Sequence, residues 1–210
     1  MKYHVPKIVK EHDIEVVTRG PYSTNTGRPR GVVIHYTAGR FDHNSYAKST
    51  LMYLASKRLG CLTMDLGGRL HMAGNQGMND VAYHVGKSEW KGETGISRFC
   101  MGIEVCNAGK LESGARTWWG DKLKRTQWRR VNHAKGNIKP GMYHKFSNMQ
   151  ESALINFCLW QLDTNPEFDI DWIVGHDEIA PSRKSDPGGS LSLPMEEFRD
   201  VIRNLASMWK

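Results

Sequence analysis

Long apolar runs are missing from this chain. No window of its 210 residues approaches the roughly 18 consecutive apolar positions that a membrane-spanning helix requires. The first residues, Met1-Lys2-Tyr3-His4-Val5-Pro6-Lys7, also lack the apolar stretch of a secretory leader, so synthesis in the cytosol without leader-driven export is expected. Cysteine is scarce. Cys61, Cys100, Cys106 and Cys158 show no CxxC spacing, which sets aside thiolate metal frameworks and disulfide scaffolds. In one strand, Cys100 and Cys106 would stand about 20 Å apart at about 3.3 Å per residue, so reduced, buried thiols are expected. Internal repeats and low-complexity stretches are absent as well. What remains is 39% apolar with seven Trp, enough to fill the core of one folded domain.

The net charge of +7 is concentrated. Residues 110–145 hold ten Lys and Arg against Glu112 and Asp121, a local charge of +8 that leaves the rest of the chain slightly acidic. Trp118, Trp119, Trp128 and Tyr143 are interleaved with those charges. Three readings fit the pattern: phosphate contacts and base stacking on nucleic acid, attraction to an anionic surface, or a folded insertion with solvated charges.

Hydrophobic periodicity divides the chain into strands and helices. Residues 1–30 are a polar lead-in with a short strand expected at 14–18. Residues 31–36 read as a buried strand, followed by a helix over 45–57 with Asn44 as N-cap. Residues 61–73 read as a hairpin with a two-residue turn at Gly67-Gly68. Residues 99–106 alternate, with Met101, Ile103 and Val105 on one face and Gly102 and Glu104 on the other. Ser147-Asn148-Met149-Gln150 is a capping-box pattern, opening a helix with the stripe Ile155, Cys158, Leu159, Leu162. A strand at 171–174 precedes His176. Pro194 starts a last amphipathic helix through Phe198, Val201, Ile202, Leu205 and Trp209. This interleaving predicts a single α/β domain over 31–210, with a central mixed β-sheet flanked by helices.

The chemistry-bearing residues sit at strand ends and in one irregular tract. His35 closes the run Gly31-Val32-Val33-Ile34, and His176 opens Gly175-His176-Asp177-Glu178-Ile179-Ala180-Pro181-Ser182-Arg183-Lys184-Ser185-Asp186-Pro187-Gly188-Gly189. Strand ends in α/β sheets face ligands. The proline ring after Asp186 keeps that residue out of the α region and so helps fix its carboxylate. Two His and one Asp are the ligands expected of a catalytic zinc whose fourth position is open. The plainer alternatives are ordinary core histidines, of nine in the chain, and a loop aspartate capping a glycine-rich turn. Lys184 stands two residues from Asp186, where an idle cation would be costly but one facing a forming oxyanion would be useful. Glu104, beside Gly102, suits a general base, or else is a plain edge-strand carboxylate.

Three segments, His35-Tyr36-Thr37-Ala38, Met101-Gly102-Ile103-Glu104-Val105 and His176 through Lys184-Ser185-Asp186-Pro187-Gly188, resemble the zinc-dependent N-acetylmuramoyl-L-alanine amidases of type 2. That family includes phage lysozyme-type amidases, peptidoglycan recognition proteins and cytosolic muropeptide-recycling amidases. The resemblance runs from about Gly31 to the C-terminus and implies a peptidoglycan-recognition-like fold. It implies zinc on His35, His176 and Asp186, with Asp186 where other branches use Cys. Lys184 would polarise the scissile carbonyl and Glu104 would act as the catalytic glutamate. Tyr36, His84 and Arg183 would contact substrate, His84 lying in Val81-Ala82-Tyr83-His84-Val85-Gly86 where the family has Trp-His-Ala-Gly. One departure stands out. Many members carry Tyr or His where this chain has Gly60-Cys61-Leu62-Thr63, which places more weight on Glu104.

The implied reaction is hydrolysis of the amide between N-acetylmuramic acid and L-alanine in peptidoglycan. The expected setting is a monomeric phage endolysin, made in the host cytoplasm and reaching the periplasmic wall after holin-type release. No nucleic acid is expected as partner, and residues 110–145 are a candidate contact with the anionic envelope. A recycling amidase and a non-catalytic peptidoglycan-binding module are the alternatives.

Overall fold

In the computed structural model, which describes residues 15–18, 24–26, 28–43, 45–60, 62–73 and 80–208, a six-stranded mixed sheet runs through the protein. Its first half carries β1 (Glu15–Thr18), β2 (Thr24–Thr26), β3 (Gly31–Tyr36), α1 (Ser45–Ser56), β4 (Leu62–Met64), β5 (Leu70–Ala73), β6 (Asp80–Ala82), β7 (Glu89–Trp90) and β8 (Glu93–Thr94). Then come β9 (Cys100–Val105), β10 (Lys110–Leu111), β11 (Trp128–Val131), β12 (Gly141–His144) and α2 (Asn148–Thr164). β13 (Ile173–Gly175), the one-turn α3 (His176–Ile179) and α4 (Met195–Ser207) complete it. The sheet order is β1-β5-β4-β9-β3-β13. β4, β9, β3 and β13 are mutually parallel, and β5 runs against β4. Four strand C-termini therefore end on the same edge.

Alternation along the strands divides the core. Val32, Ile34, Met101, Ile103, Val105, Leu62, Met64 and Ile173 pack against Leu154, Phe157 and Leu159 of α2 and Phe198 and Ile202 of α4. Val33, Cys100 and Val174 face the other way, onto Val85, Ile96 and Ile179. Burying each large apolar side chain contributes about 1.5–3 kcal/mol, so register is strongly specified. A one-residue slip would turn His35 and Glu104 into the helix-covered face.

Several sequence expectations are adjusted by packing. The hairpin turn is wider than the glycine pair: Met64 pairs with Leu70, and the Asp65 carboxylate accepts from the Arg69 N–H (3.0 Å), so Asp65 organises the loop. The Ser147 capping box forms as read. The buried stripe of α2, however, runs through Leu154, Phe157, Cys158 and Leu159 and includes Gln150, whose amide donates to the Asp65 and Cys106 carbonyls. Ile155 and Leu162 only border it. The strand before His176 begins at Ile173, after a 3-10 turn at Ile170–Trp172. Cys100, Cys106 and Cys158 are free and buried. Asn44, Cys61 and Trp209 lie outside the described residues.

Residues 110–145 form a small three-stranded antiparallel sheet, β10-β12-β11, over a cluster of Ala108, Leu111, Ala115 and Leu123 flanked by Phe41, Trp119 and Trp128. This segment is braced against the Asp186 tract. The Lys139 ammonium donates to the carbonyls of Pro181 (2.7 Å) and Lys184 (3.3 Å), and Arg129 donates to the Leu191 carbonyl (3.2 Å). A Cβ on Gly189 would come within 2.6 Å of the buried Tyr143 ring, so only glycine lets β12 pack that closely.

Candidate metal centre

Register places the site. His35 pairs with Glu104 across β3 and β9, and Glu104 pairs with Thr63 across β9 and β4. Gly175 pairs with Ile34, which puts His176 beside His35 just past the end of β13. Gly175 has no freedom to carry a side chain: a Cβ there would lie 2.4 Å from Asp177 Oδ1 and 2.8 Å from Pro187 Cδ. The closeness lets Asp177 N–H donate to the Asp186 carbonyl (2.7 Å), joining the tract's two ends. Glu178 then accepts from Gly175 N–H (3.0 Å) and forms a two-pronged pair with the buried Arg199 (2.9 and 3.0 Å).

His35, His176 and Asp186 are all buried, and among the described residues they are the group that could hold a metal ion, with donor atoms all within 4.8 Å of one another. Asp186 Oδ2 lies 2.9 Å from His35 Nδ1 and 3.0 Å from His176 Nδ1. The outward nitrogens decide what those short contacts mean. His176 Nε2 faces the Val85 carbonyl at 3.2 Å, and His84 Nε2 faces the Cys100 carbonyl at 2.9 Å. A carbonyl only accepts, so both nitrogens carry protons. Burial, with the neighbouring His35 adding to it, lowers the His84 pKa to about 3, so this ring is neutral and its Nδ1 is an acceptor. That Nδ1 lies 3.0 Å from His35 Nε2, which must therefore donate. In their neutral forms both ligand candidates then turn an Nδ1 lone pair toward an anionic oxygen. Such an arrangement needs a cation, and two imidazoles with one carboxylate are a zinc donor set that leaves a fourth position free.

The electrostatics agree. Burial lowers the pKa of His35, with the Asp186 charge opposing it, so the ring favours its neutral form. Glu104 goes the other way. Burial, then the Asp186 charge, raises its pKa to about 8, while Lys184 is close enough to oppose the rise. Glu104 Oε2 is buried with no hydrogen-bond partner among the described residues, as expected of a carboxyl whose partner is a reactant.

The remaining candidates are placed as follows. The Tyr36 hydroxyl is 2.8 Å from Ser185 Oγ, between Lys184 and Asp186. The Arg183 guanidinium donates to the carbonyls of Val85 (2.7 Å) and Lys87 (2.8 Å). His84 is engaged with His35 as described. Thr63, in the strand where an aromatic or imidazole is absent, is fully buried and donates to the Ala47 carbonyl of α1 (3.0 Å), so it offers no proton chemistry to Glu104 beside it.

A family model described as N-acetylmuramoyl-L-alanine amidase matches residues 25–189. The chain belongs to that family. Members of this amidase family are zinc-dependent, in keeping with the donor set above. The chain is 27% identical over 182 residues to N-acetylmuramoyl-L-alanine amidase AmiD of Escherichia coli K12, a match that covers 86% of this chain and 56% of AmiD. Among solved structures it resembles an AmpD crystal structure (TM-score 0.56, 18% identity, covering 92% of this chain and 99% of that one). It also resembles E. coli AmiD in complex with anhydro-N-acetylmuramic acid-L-Ala-D-gamma-Glu-L-Lys (TM-score 0.56, 23% identity, 92% of this chain and 65% of that one). The amidase LysC of Clostridium intestinale is similar too (TM-score 0.54, 14% identity, covering 94% and 98%). These structural likenesses speak for the fold, the central mixed sheet flanked by helices.

Within this amidase fold, sequence reasoning overlooked Ser97, Ser185, the Glu178–Arg199 pair and the Val85 carbonyl. Glu178, two residues after His176, and Arg199, on the inward stripe of the last helix, were the legible half of that set. A buried Arg on an amphipathic face calls for a carboxylate.

Proposed function

We propose that the protein hydrolyses the amide bond joining N-acetylmuramic acid to the first L-alanine of the peptidoglycan stem, with zinc held by His35, His176 and Asp186. One observation carries this reading: two imidazole Nδ1 atoms and the buried Asp186 carboxylate converge next to the half-buried Glu104, whose buried Oε2 has no hydrogen-bond partner among the described residues. Zinc, when bound, supplies Lewis acidity and acidifies water at neutral pH. Glu104 is the group to take the proton of the attacking water and return one to the leaving amine. A pKa raised by burial suits that exchange. Lys184, near enough to Glu104 to oppose the rise in its pKa, is the cation assigned to stabilise the carbonyl oxygen as it becomes anionic. Tyr36, through Ser185, steadies the backbone between Lys184 and Asp186.

The proposed setting is phage lysis, with the protein made in the host cytoplasm and acting as a monomer on the periplasmic wall. What supports it is the exposed basic sheet of residues 110–145, which suits an anionic envelope better than a small soluble substrate. The 27% identity to AmiD across 86% of the chain favours a second reading, an amidase of muropeptide turnover. Mass spectrometry of digests separates these. Intact sacculi yielding whole glycan strands and free stem peptides support the lytic reading. Release from soluble anhydro-muropeptides alone selects the second. Cleaved glycans with peptides still attached would refute amide hydrolysis altogether.

A further inference from the structure

The same hydrogen bonds that identify the donor atoms depend on two consecutive residues outside the donor set. We propose that His84 and Val85 act as one positioning unit, fixing which ring nitrogen of each histidine faces the metal: His84 through its side chain for His35, Val85 through its carbonyl for His176. The inference rests on the zinc reading above and assigns His84 and Arg183 to positioning rather than to substrate contact.

Each arm of the unit is anchored. His84 is held between His35 Nε2 (3.0 Å) and the Cys100 carbonyl (2.9 Å), so its ring passes the polarity of a strand carbonyl to His35. The Val85 carbonyl accepts from His176 Nε2 (3.2 Å) and from Arg183 (2.7 Å), which uses both of its lone pairs. Arg183 also holds the Lys87 carbonyl (2.8 Å), clamping the loop to the tract that carries Asp186. Beneath the pair, the buried Ser97 hydroxyl accepts from both His84 N–H and Val85 N–H, each at 3.1 Å. A single serine thus sets the height of both arms. Partners of this kind fix ligand orientation, and losing one typically weakens metal binding about 10–100-fold.

The test uses metal-free protein with isotope-labelled histidine, reading protonation sites by long-range nitrogen–proton NMR, together with zinc affinity from chelator competition. In wild type, His35 and His176 should both carry the proton on Nε2. His84→Phe should weaken zinc binding about 10–100-fold and mix the two tautomers at His35 while leaving His176 as it was. His84→Gln, which keeps an acceptor and a donor, should recover most of the affinity. Ser97→Ala should disturb both rings, and Arg183→Gln should disturb His176 only. A wild-type proton on Nδ1 of either ring overturns the proposal without any variant. So does a folded His84→Phe with unchanged zinc affinity. Wild-type protein that binds no zinc in competition would instead bring down the parent reading.

Discussion

Around His35 and Asp186 most of the polar side chains are buried or half-buried, whereas across residues 110–145 most of the charged ones are open to solvent. Two imidazoles, two carboxyls and a third histidine share the first region, and most of their polar atoms have a named partner or point at the donor set. In the second, Lys110, Arg116, Lys122, Lys124, Arg125, Arg130, Lys135 and Lys139 are exposed, and Arg125 lies over the Trp128 ring at 4.4 Å. Charge in the first region is costly to place, so each group must be compensated, and that compensation is what tunes reactivity. Charge in the second is solvated and screened, so it acts at range on encounter and contributes little to bond chemistry. Lys139 joins the two, reaching from the exposed sheet to the carbonyls of Pro181 and Lys184.

The strongest way to break the contrast is to remove the buried charge. Asp186→Asn should abolish stoichiometric zinc and reduce amide hydrolysis to background, a larger loss than the roughly 10–100-fold of an outer partner. Metal-free Asp186→Asn should nevertheless melt no lower than metal-free wild type at pH 8, because an amide N–H can answer an Nδ1 lone pair that a carboxylate cannot. Zinc retained at wild-type occupancy by metal analysis would remove Asp186 from the donor set.

Glu104 sharpens the same comparison by pH. Its pKa of about 8 in the folded protein lies above the ordinary 4.5, so the native state favours the protonated form. The resulting stability is complete below about pH 4.5 and is lost as pH rises through 8, at about 1.4 kcal/mol per unit of displacement. Glu104→Gln mimics the protonated carboxyl. Without metal it should therefore gain on wild type by up to a few kcal/mol between pH 5 and 9, as read by denaturant unfolding in chelator. With zinc retained, hydrolysis should fall about 10²–10⁴-fold. Near-wild-type turnover would show that Glu104 is not the base, and parallel pH curves would show that its pKa is not raised in the folded protein.

The sequence made some of this legible and hid the rest for physical reasons. Apolar, β-branched runs marked β3 and β9, and alternation put Glu104 and His35 at strand ends, because period-two burial leaves a direct trace in residue type. The Ser147 box marked the start of α2 because a cap needs particular side chains. The hairpin loop was misjudged since its bonds converge on Asp65, whose carbonyl accepts from Gly68 N–H and whose carboxylate accepts from Arg69 N–H, so the turn opens before the glycine pair. What stayed hidden was the His84–Val85 unit. A backbone carbonyl has no residue type to read, and Val85 meets His176 across 91 positions of chain. For Arg183 the resemblance implied substrate contact; its Nη2 donates to the Val85 and Lys87 carbonyls, backbone partners that no residue type announces.

The smallest expected effect belongs to the open region. Arg129 is best left intact, since it donates to the Leu191 carbonyl and lies 3.9 Å from Glu151, ties that hold the sheet to the domain. Neutralising Lys122, Lys124, Arg125 and Arg130 to Gln removes exposed charge, together with the surface contacts of Arg125 on Trp128 and Arg130 on Met142. Association with isolated cell walls should weaken several-fold at low salt and converge with wild type near 0.5 M, where the screening length falls to about 4 Å. Turnover of a small soluble muropeptide should stay within about twofold, because screened charges at this distance barely change the field at Glu104. Equal wall binding at low salt would leave these charges simply solvated. A matching loss of small-substrate turnover would mean that the two regions are coupled after all, with the Lys139 brace as the natural place to look.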